Sequence, residues 1–146
     1  MGRARHGARE AGQMTVELAV VFPVLLVVAV IAVNVLLFFS ECAAFDRTAR
    51  EAVRVYATSP AYGQGLEQSQ ALVQQTVQAA FDKPYLASRV ATEGVSGGAV
   101  RFTATLEFSP TLFGMGLKSS VFGVALPHLE HSVALVVEPY KPGVLL

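Results

Sequence analysis

The stretch Gly12-Gln13-Met14-Thr15-Val16-Glu17-Leu18-Ala19-Val20-Val21-Phe22-Pro23-Val24-Leu25-Leu26, continuing apolar to Phe39, decides how this chain is read. From Leu18 to Phe39 its 22 residues hold one polar side chain, Asn34, and one helix breaker, Pro23. At about 1.5 Å per residue a helix of this length reaches roughly 33 Å, enough to cross a hydrocarbon core of about 30 Å. An uncharged apolar run this long reads as a transmembrane helix.

The flanks set its orientation. Residues 1–13 carry Arg3, Arg5, Arg9 and Glu10, a net +2, and residues 14–40 hold only Glu17. The arginines place the N-terminus in the cytoplasm by the positive-inside rule, so the C-terminal part is extracytoplasmic. The apolar core is too long for a cleaved secretory signal. Met1 to Gly12 is a short Arg-rich leader with three glycines, expected to be disordered before processing. Cys42 invites a lipoprotein reading, but Glu41 stands where a lipobox needs a small residue. As the only cysteine it forms no internal disulfide and reads as a small interfacial residue.

Three residues of the run carry polar or backbone chemistry. Glu17 sits at its front edge, where a carboxylate beside a hydrophobic span marks a function or a partner, unless it stays wet at headgroup depth. Pro23 withholds a backbone donor and is expected to loosen the preceding turn. Asn34 can hydrogen-bond to a neighbouring subunit for roughly 1 kcal/mol, or to its own backbone.

A basic leader, Gly12 before a junction with Gln13, and Glu17 as fifth residue after it resemble a type IV prepilin start. More closely, Thr15 to Leu26 is similar to the opening of TadE-like proteins, minor pilins or pseudopilins of tight-adherence (Tad) pilus systems. Glu17 and Pro23 have the family's spacing, and Ala49-Arg50-Glu51-Ala52-Val53-Arg54 matches its segment beyond the membrane. The resemblance covers about residues 12–57. Leu18 departs from the Phe or Tyr that many members and the major pilins carry, which argues against a major subunit. The resemblance implies cleavage between Gly12 and Gln13 by a prepilin peptidase and assembly through Glu17 and Pro23, and Asn34 joins them as a candidate assembly residue through its polarity within the run. Its implied partners are the membrane, other pilins and the Tad assembly-platform proteins.

Beyond the run the chain is water-compatible, with eight basic and nine acidic residues over 41–146. From Glu41 to Ala57 neither Gly nor Pro occurs, and Phe45, Ala49, Ala52, Val53 and Tyr56 recur at helical spacing. Asp46 with Arg50 and Glu51 with Arg54 have the spacing of laced surface pairs. Thr58 to Gly65 breaks the helix. A second helix is expected over Leu66–Phe81, with Leu66, Val73, Val77 and Ala80 on one stripe and a Gln-rich opposite face, ended by Asp82-Lys83-Pro84.

After Pro84 the period changes to two. Val100, Phe102, Ala104, Leu106 and Phe108 alternate with Arg101, Thr103, Thr105 and Glu107, a half-buried strand. Ser96-Gly97-Gly98 is a turn, making Leu86–Val95 its hairpin partner, and Ser132–Glu138 is a further strand. Pro110 to Pro127 reads as a loop covering the sheet. The expected fold class is α+β: residues 1–12 a leader, 13–57 a transmembrane helix continuing outside, and 58–146 a small exported domain with a helix and an antiparallel sheet.

Nothing points to an enzyme or a small-molecule substrate. No Gly-rich phosphate loop follows a strand, no nucleophile has a recognisable setting, and no cofactor is implied. His128-Xaa-Xaa-His131 with Glu130 is too thin for a metal site. No face is basic enough for nucleic acid. Two structural readings remain, a cleaved TadE-like minor pilin and an uncleaved single-pass subunit of another envelope or secretion complex. A small envelope-attached enzyme is the third, and it would need a pocket that the sequence does not show.

Overall fold

The computed structural model describes residues 4–58, 61, 63–112, 115–116, 120–121, 124–125 and 128–138, with 4–13 and everything from 112 to 125 described by backbone alone. Helix α1 spans Ala4–Tyr56 and helix α2 Leu66–Ala80. The strands are β1 Leu86–Gly94, β2 Val100–Phe108, β3 Thr111–Leu112, β4 Met115–Gly116, β5 Ser120–Val121, β6 Val124–Ala125 and β7 Leu129–Val137. The fold is α+β, as the change of period requires. Two compact units share α1, one ending at Leu37 and the other beginning at Phe38.

The first unit is the helix itself, and it is the one helix among the described residues long and apolar enough to cross a membrane. Leu18, Leu25 and Val33 are each more than half exposed. The helix passes through Pro23 without a break, although Pro23 offers no N–H to the Ala19 carbonyl. The leader is a correction: instead of being disordered it is helical from Ala4. Ala4, Arg5, Ala8, Arg9, Glu10 and Ala11 are strong helix formers, and extending an existing helix escapes the cost of nucleation.

In the second unit the outer end of α1 becomes a core element. Phe45, Ala49, Ala52 and Val53 are buried and Tyr56 packs against them, the stripe expected from the sequence. The pattern of α2 differs from expectation. Its buried face is Ser69, Val73 and Val77, continued by Phe81, whereas Leu66 is 44% exposed and Ala80 lies outside. Ser69 tolerates burial because Gln64 Nε2 donates to its Oγ at 2.9 Å and its own hydroxyl reaches the Gly65 carbonyl at 3.3 Å. The Gln64 amide also donates to the Tyr56 carbonyl at 3.3 Å, so one side chain closes α1 and steadies the start of α2.

Strands β1, β2 and β7 form an antiparallel sheet in that order, with β2 central. The register pairs Leu86 with Phe108 and Gly94 with Val100, then Phe108 with Leu129 and Val100 with Val137. Gly97 and Gly98 turn β1 into β2 at φ of 90° and 84°, a region that side-chain-bearing residues rarely adopt. Alternation on β2 buries Val100, Phe102, Ala104, Leu106 and Phe108 on the helical side. Thr105 is also buried, from the opposite face, where its hydroxyl meets Ser132 Oγ at 3.2 Å. On that outer face Arg89 pairs with Glu107 at 2.7 Å, and Arg101 with Glu93 at 3.4 Å.

The glutamines of α2 take on a task that the sequence pattern did not show. β1 is an edge strand, and its outward backbone groups need partners. Gln74 accepts the Val90 N–H and donates to the Ser88 carbonyl at 3.1 Å. Gln70 donates to the Val90 carbonyl at 3.1 Å and accepts the Thr92 hydroxyl at 2.8 Å. Four helix residues rise about 6 Å and two strand residues about 6.6 Å, so glutamines at i and i+4 match alternate strand residues. They stand in for a missing strand.

Between β2 and β7 the chain forms two short ladders, β3 with β4 and β5 with β6, rather than an unstructured loop. Whether the side chains of 112–127 cover the sheet lies outside the described residues.

Candidate functional site

Burial changes abruptly along α1. The apolar run ends at Phe39, 63% exposed, and Glu41 and Cys42 are each buried to 8%. The helix is therefore exposed along most of its apolar run and, past residue 40, carries a face that is buried in the second unit.

The site residues expected from sequence are strung along the first part of this helix. Gly12 and Gln13 lie within α1, their backbone helical. Glu17 is exposed on it, and Pro23 follows within the same helix. Asn34 is half-buried, and its Nδ2 donates to the Val30 carbonyl at 2.9 Å. Of the two partners considered above, its own backbone is the one it takes in the single chain. Glu17 and Asn34 are 17 residues apart, roughly 26 Å of helix, so these groups form no cleft.

The segment beyond the run divides by face. Ala49, Ala52 and Val53 are buried, while Arg50, Glu51 and Arg54 are exposed. The small and β-branched residues let the sheet and α2 approach α1, and the charged ones remain in solvent. The laced pairs do not form: Asp46 turns from Arg50 to His131 Nε2 at 2.7 Å, and Glu51 makes no ion pair with Arg54. A solvent-exposed pair within one helix contributes only tenths of a kcal/mol, too little to hold a carboxylate that a half-buried imidazole can reach. His128 lies instead against Ser109 Oγ at 3.3 Å, so the two histidines diverge. Among the described residues no group of three His, Cys, Asp or Glu side chains could hold a metal ion.

Sequence reasoning missed the cluster at the base of the second unit. Glu41 is buried and ion-paired with Lys83, and it accepts a hydrogen bond from Tyr85 Oη at 3.4 Å. The Lys83 ammonium stands 5.8 Å from the Tyr85 ring centre. Phe108 is packed edge-on by Phe38 at 5.6 Å and Tyr85 at 5.8 Å. A signal for Glu41 existed: it precedes Phe45 by four residues and so shares the buried stripe of α1. Nothing in the sequence named Lys83 as its partner, 42 residues away.

The hydrogen bond to Glu41 holds the Lys83 ammonium charged beyond its ordinary value of 10.5. A lysine whose pKa is raised on folding adds stability below its unfolded value and loses it as pH climbs through the folded one. Full-length protein in detergent is therefore expected to melt lower as Glu41→Gln than as wild type at about pH 8, with the gap narrowing as pH rises above the ordinary lysine value. A gap that is constant with pH would show that the pair contributes nothing.

The family model described as TadE-like protein matches residues 12–54. The chain carries a TadE-like segment. The match begins at the Gly12 junction and ends at Arg54, so it takes in both the exposed apolar half of α1 and the buried stripe. The TadE-like segment thus supplies one side of the core of the second unit as well as the apolar run, while α2 and the sheet, which complete that core, lie beyond it. No curated protein and no solved structure matches the chain.

Proposed function

We propose that this chain is a minor pilin or pseudopilin of a tight-adherence pilus system, clipped after Gly12 and assembled with other pilins through the apolar half of α1. The observation that carries this reading is the coincidence of the TadE-like match with a helix whose apolar side chains between Met14 and Leu36 are mostly exposed. Such a surface is satisfied by lipid while the protein is membrane-resident and by sister helices once it is assembled. The arginines of the leader favour a cytoplasmic N-terminus, and hence a C-terminal domain outside.

Processing tests this first. Protein purified from its native host is expected to begin at Gln13 by intact mass, and Gly12→Leu is expected to remain uncut, because the prepilin peptidase needs a small residue before the junction. Host protein that begins at Met1 or Met14 with the peptidase present overturns the cleavage. One observation favours the second reading, an uncleaved single-pass subunit of another envelope or secretion complex: the Gly12–Gln13 junction lies inside a helix that runs from Ala4, and proteolysis requires that turn to open. The same mass measurement separates the two.

A further inference from the structure

The end of the sheet nearest the apolar run is built from Leu86, Phe108 and Leu129, held in one register row. Beside it the turn 82–85 is fastened to α1 by the Glu41–Lys83 ion pair and the Tyr85 hydroxyl. The attachment falls two residues after Phe39, the last residue of the run, and Phe38 touches Phe108 directly. We propose that this rim, Lys83, Pro84, Tyr85 and Leu129, is a lipid-contacting surface that lies in the phospholipid headgroup layer. The inference rests on the membrane reading of α1.

Heights along α1 decide the matter. A headgroup layer extends about 5–7 Å beyond the hydrocarbon on each side. Glu41 stands about 3 Å past Phe39 and is inside that layer, whereas Phe45, at about 9 Å, is outside it. Tilting the helix by about 20° lowers both heights slightly and leaves Glu41 within. Lys83 and Tyr85 bond to Glu41 and share its height.

The side chains suit that layer. Pro84 is exposed, the Lys83 side chain is 43% exposed and Leu129 is 38% exposed, and Tyr85 presents part of an amphipathic ring. A lysine with an apolar stem and a tyrosine are the residue types that settle at membrane–water interfaces. Lys83 has three N–H donors, and its pairing with Glu41 leaves donors for a phosphodiester oxygen. Asp82 and Glu130 are exposed nearby, so the rim carries no cationic excess, and it should bind zwitterionic lipid as well as anionic lipid. Chain 110–127 leaves and re-enters at this same end, with Lys118 as its one charged residue. A rim seated in this way would fix the height of the domain above the bilayer before any partner arrives.

The chain contains no tryptophan, so a single introduced indole reports without background. Full-length Leu25→Trp, Tyr85→Trp and Val95→Trp would be placed in phosphatidylcholine vesicles whose lipids carry bromine either near the glycerol or near the bilayer centre. Val95 directly follows β1 at the far end of the sheet, nine residues or roughly 30 Å from Leu86. Leu25→Trp is expected to be quenched by deep bromines. Tyr85→Trp is expected to be quenched by shallow bromines at least about twofold more than Val95→Trp, with no need for anionic lipid. Leu129→Trp, at an exposed position on the same rim, repeats the measurement if Tyr85→Trp does not fold. If both rim probes match Val95→Trp while Leu25→Trp is quenched, the rim proposal is overturned and the membrane reading stands. A rim built for a neighbouring protein gives this outcome, because the vesicles hold only this chain. If Leu25→Trp is also unquenched, the membrane reading fails and takes the rim with it.

Discussion

Glu17→Ala is expected to insert into the membrane and lose its leader as wild type does, while its recovery with other pilins falls by roughly a hundredfold or more. Insertion survives because removing a carboxylate makes the start of the span more apolar. Cleavage survives because the peptidase reads the Gly12 junction, five residues away. On the proposed reading assembly fails, because cleavage would create an ammonium at Gln13 with which Glu17 of a neighbouring subunit would pair. Carboxylate and ammonium attract far more strongly at low dielectric than in water, and stranding one member of such a pair costs roughly 3–5 kcal/mol. At about 1.4 kcal/mol per decade this is two to three orders of magnitude in association. Neighbouring Leu and Val surfaces slide past one another easily, so the pair also sets their axial register. Crosslinking and pull-down against the other pilins make the measurement. Wild-type association of Glu17→Ala would leave this carboxylate without a role in assembly.

Phe102→Ala and Leu106→Ala are each expected to destabilise the second unit by roughly 2–5 kcal/mol, the usual cost of emptying a filled core position. Phe102 is 1% exposed and Leu106 fully buried, both on the central strand with a hydrogen-bonded neighbour on either side. Neither site can collapse readily, because Ala104 lies between them and the packed stripe of α1 lies opposite. In a domain of about 100 residues each kcal/mol lowers the melting temperature by about 4–8 °C, so either change falls well outside experimental error. Val136→Ala, on the outer face and 55% exposed, is the control and is expected to stay within about 0.5 kcal/mol of wild type. Unchanged melting of both core variants would mean that β2 does not face the helix.

Some failures of the sequence reading are informative in their mechanism. The α2 stripe was drawn through Leu66 and Ala80 because they are apolar, yet Ser69 took the buried position once Gln64 and Gly65 satisfied its hydroxyl. Hydrophobicity scales price a hydroxyl as if it stood alone, and a partnered one enters the core cheaply. The Gln-rich face of α2 carries no local signature of its pairing with β1, because a glutamine amide donates or accepts wherever a strand edge comes within reach. Asp46 looked like a partner for Arg50 because the two share a helix face, and it bonds instead to His131, 85 residues away.

By itself the sequence determined where α1 is apolar, which residues of its outer half form a stripe, and which residues of β2 face inward. Those properties are local. A run of 22 apolar residues, a 3.6-residue period and a two-residue period each follow from how neighbouring side chains partition between water and an apolar phase, whatever the rest of the chain does. The tertiary structure alone decided which polar groups meet: Glu41 with Lys83 and Tyr85, Asp46 with His131, Gln70 and Gln74 with the edge of β1. A buried polar group must find a partner, but its identity depends on which strand lies beside which helix and in what register, and that is set only when the whole unit closes. The same closure fastened the 82–85 turn to Glu41 through Lys83 and Tyr85.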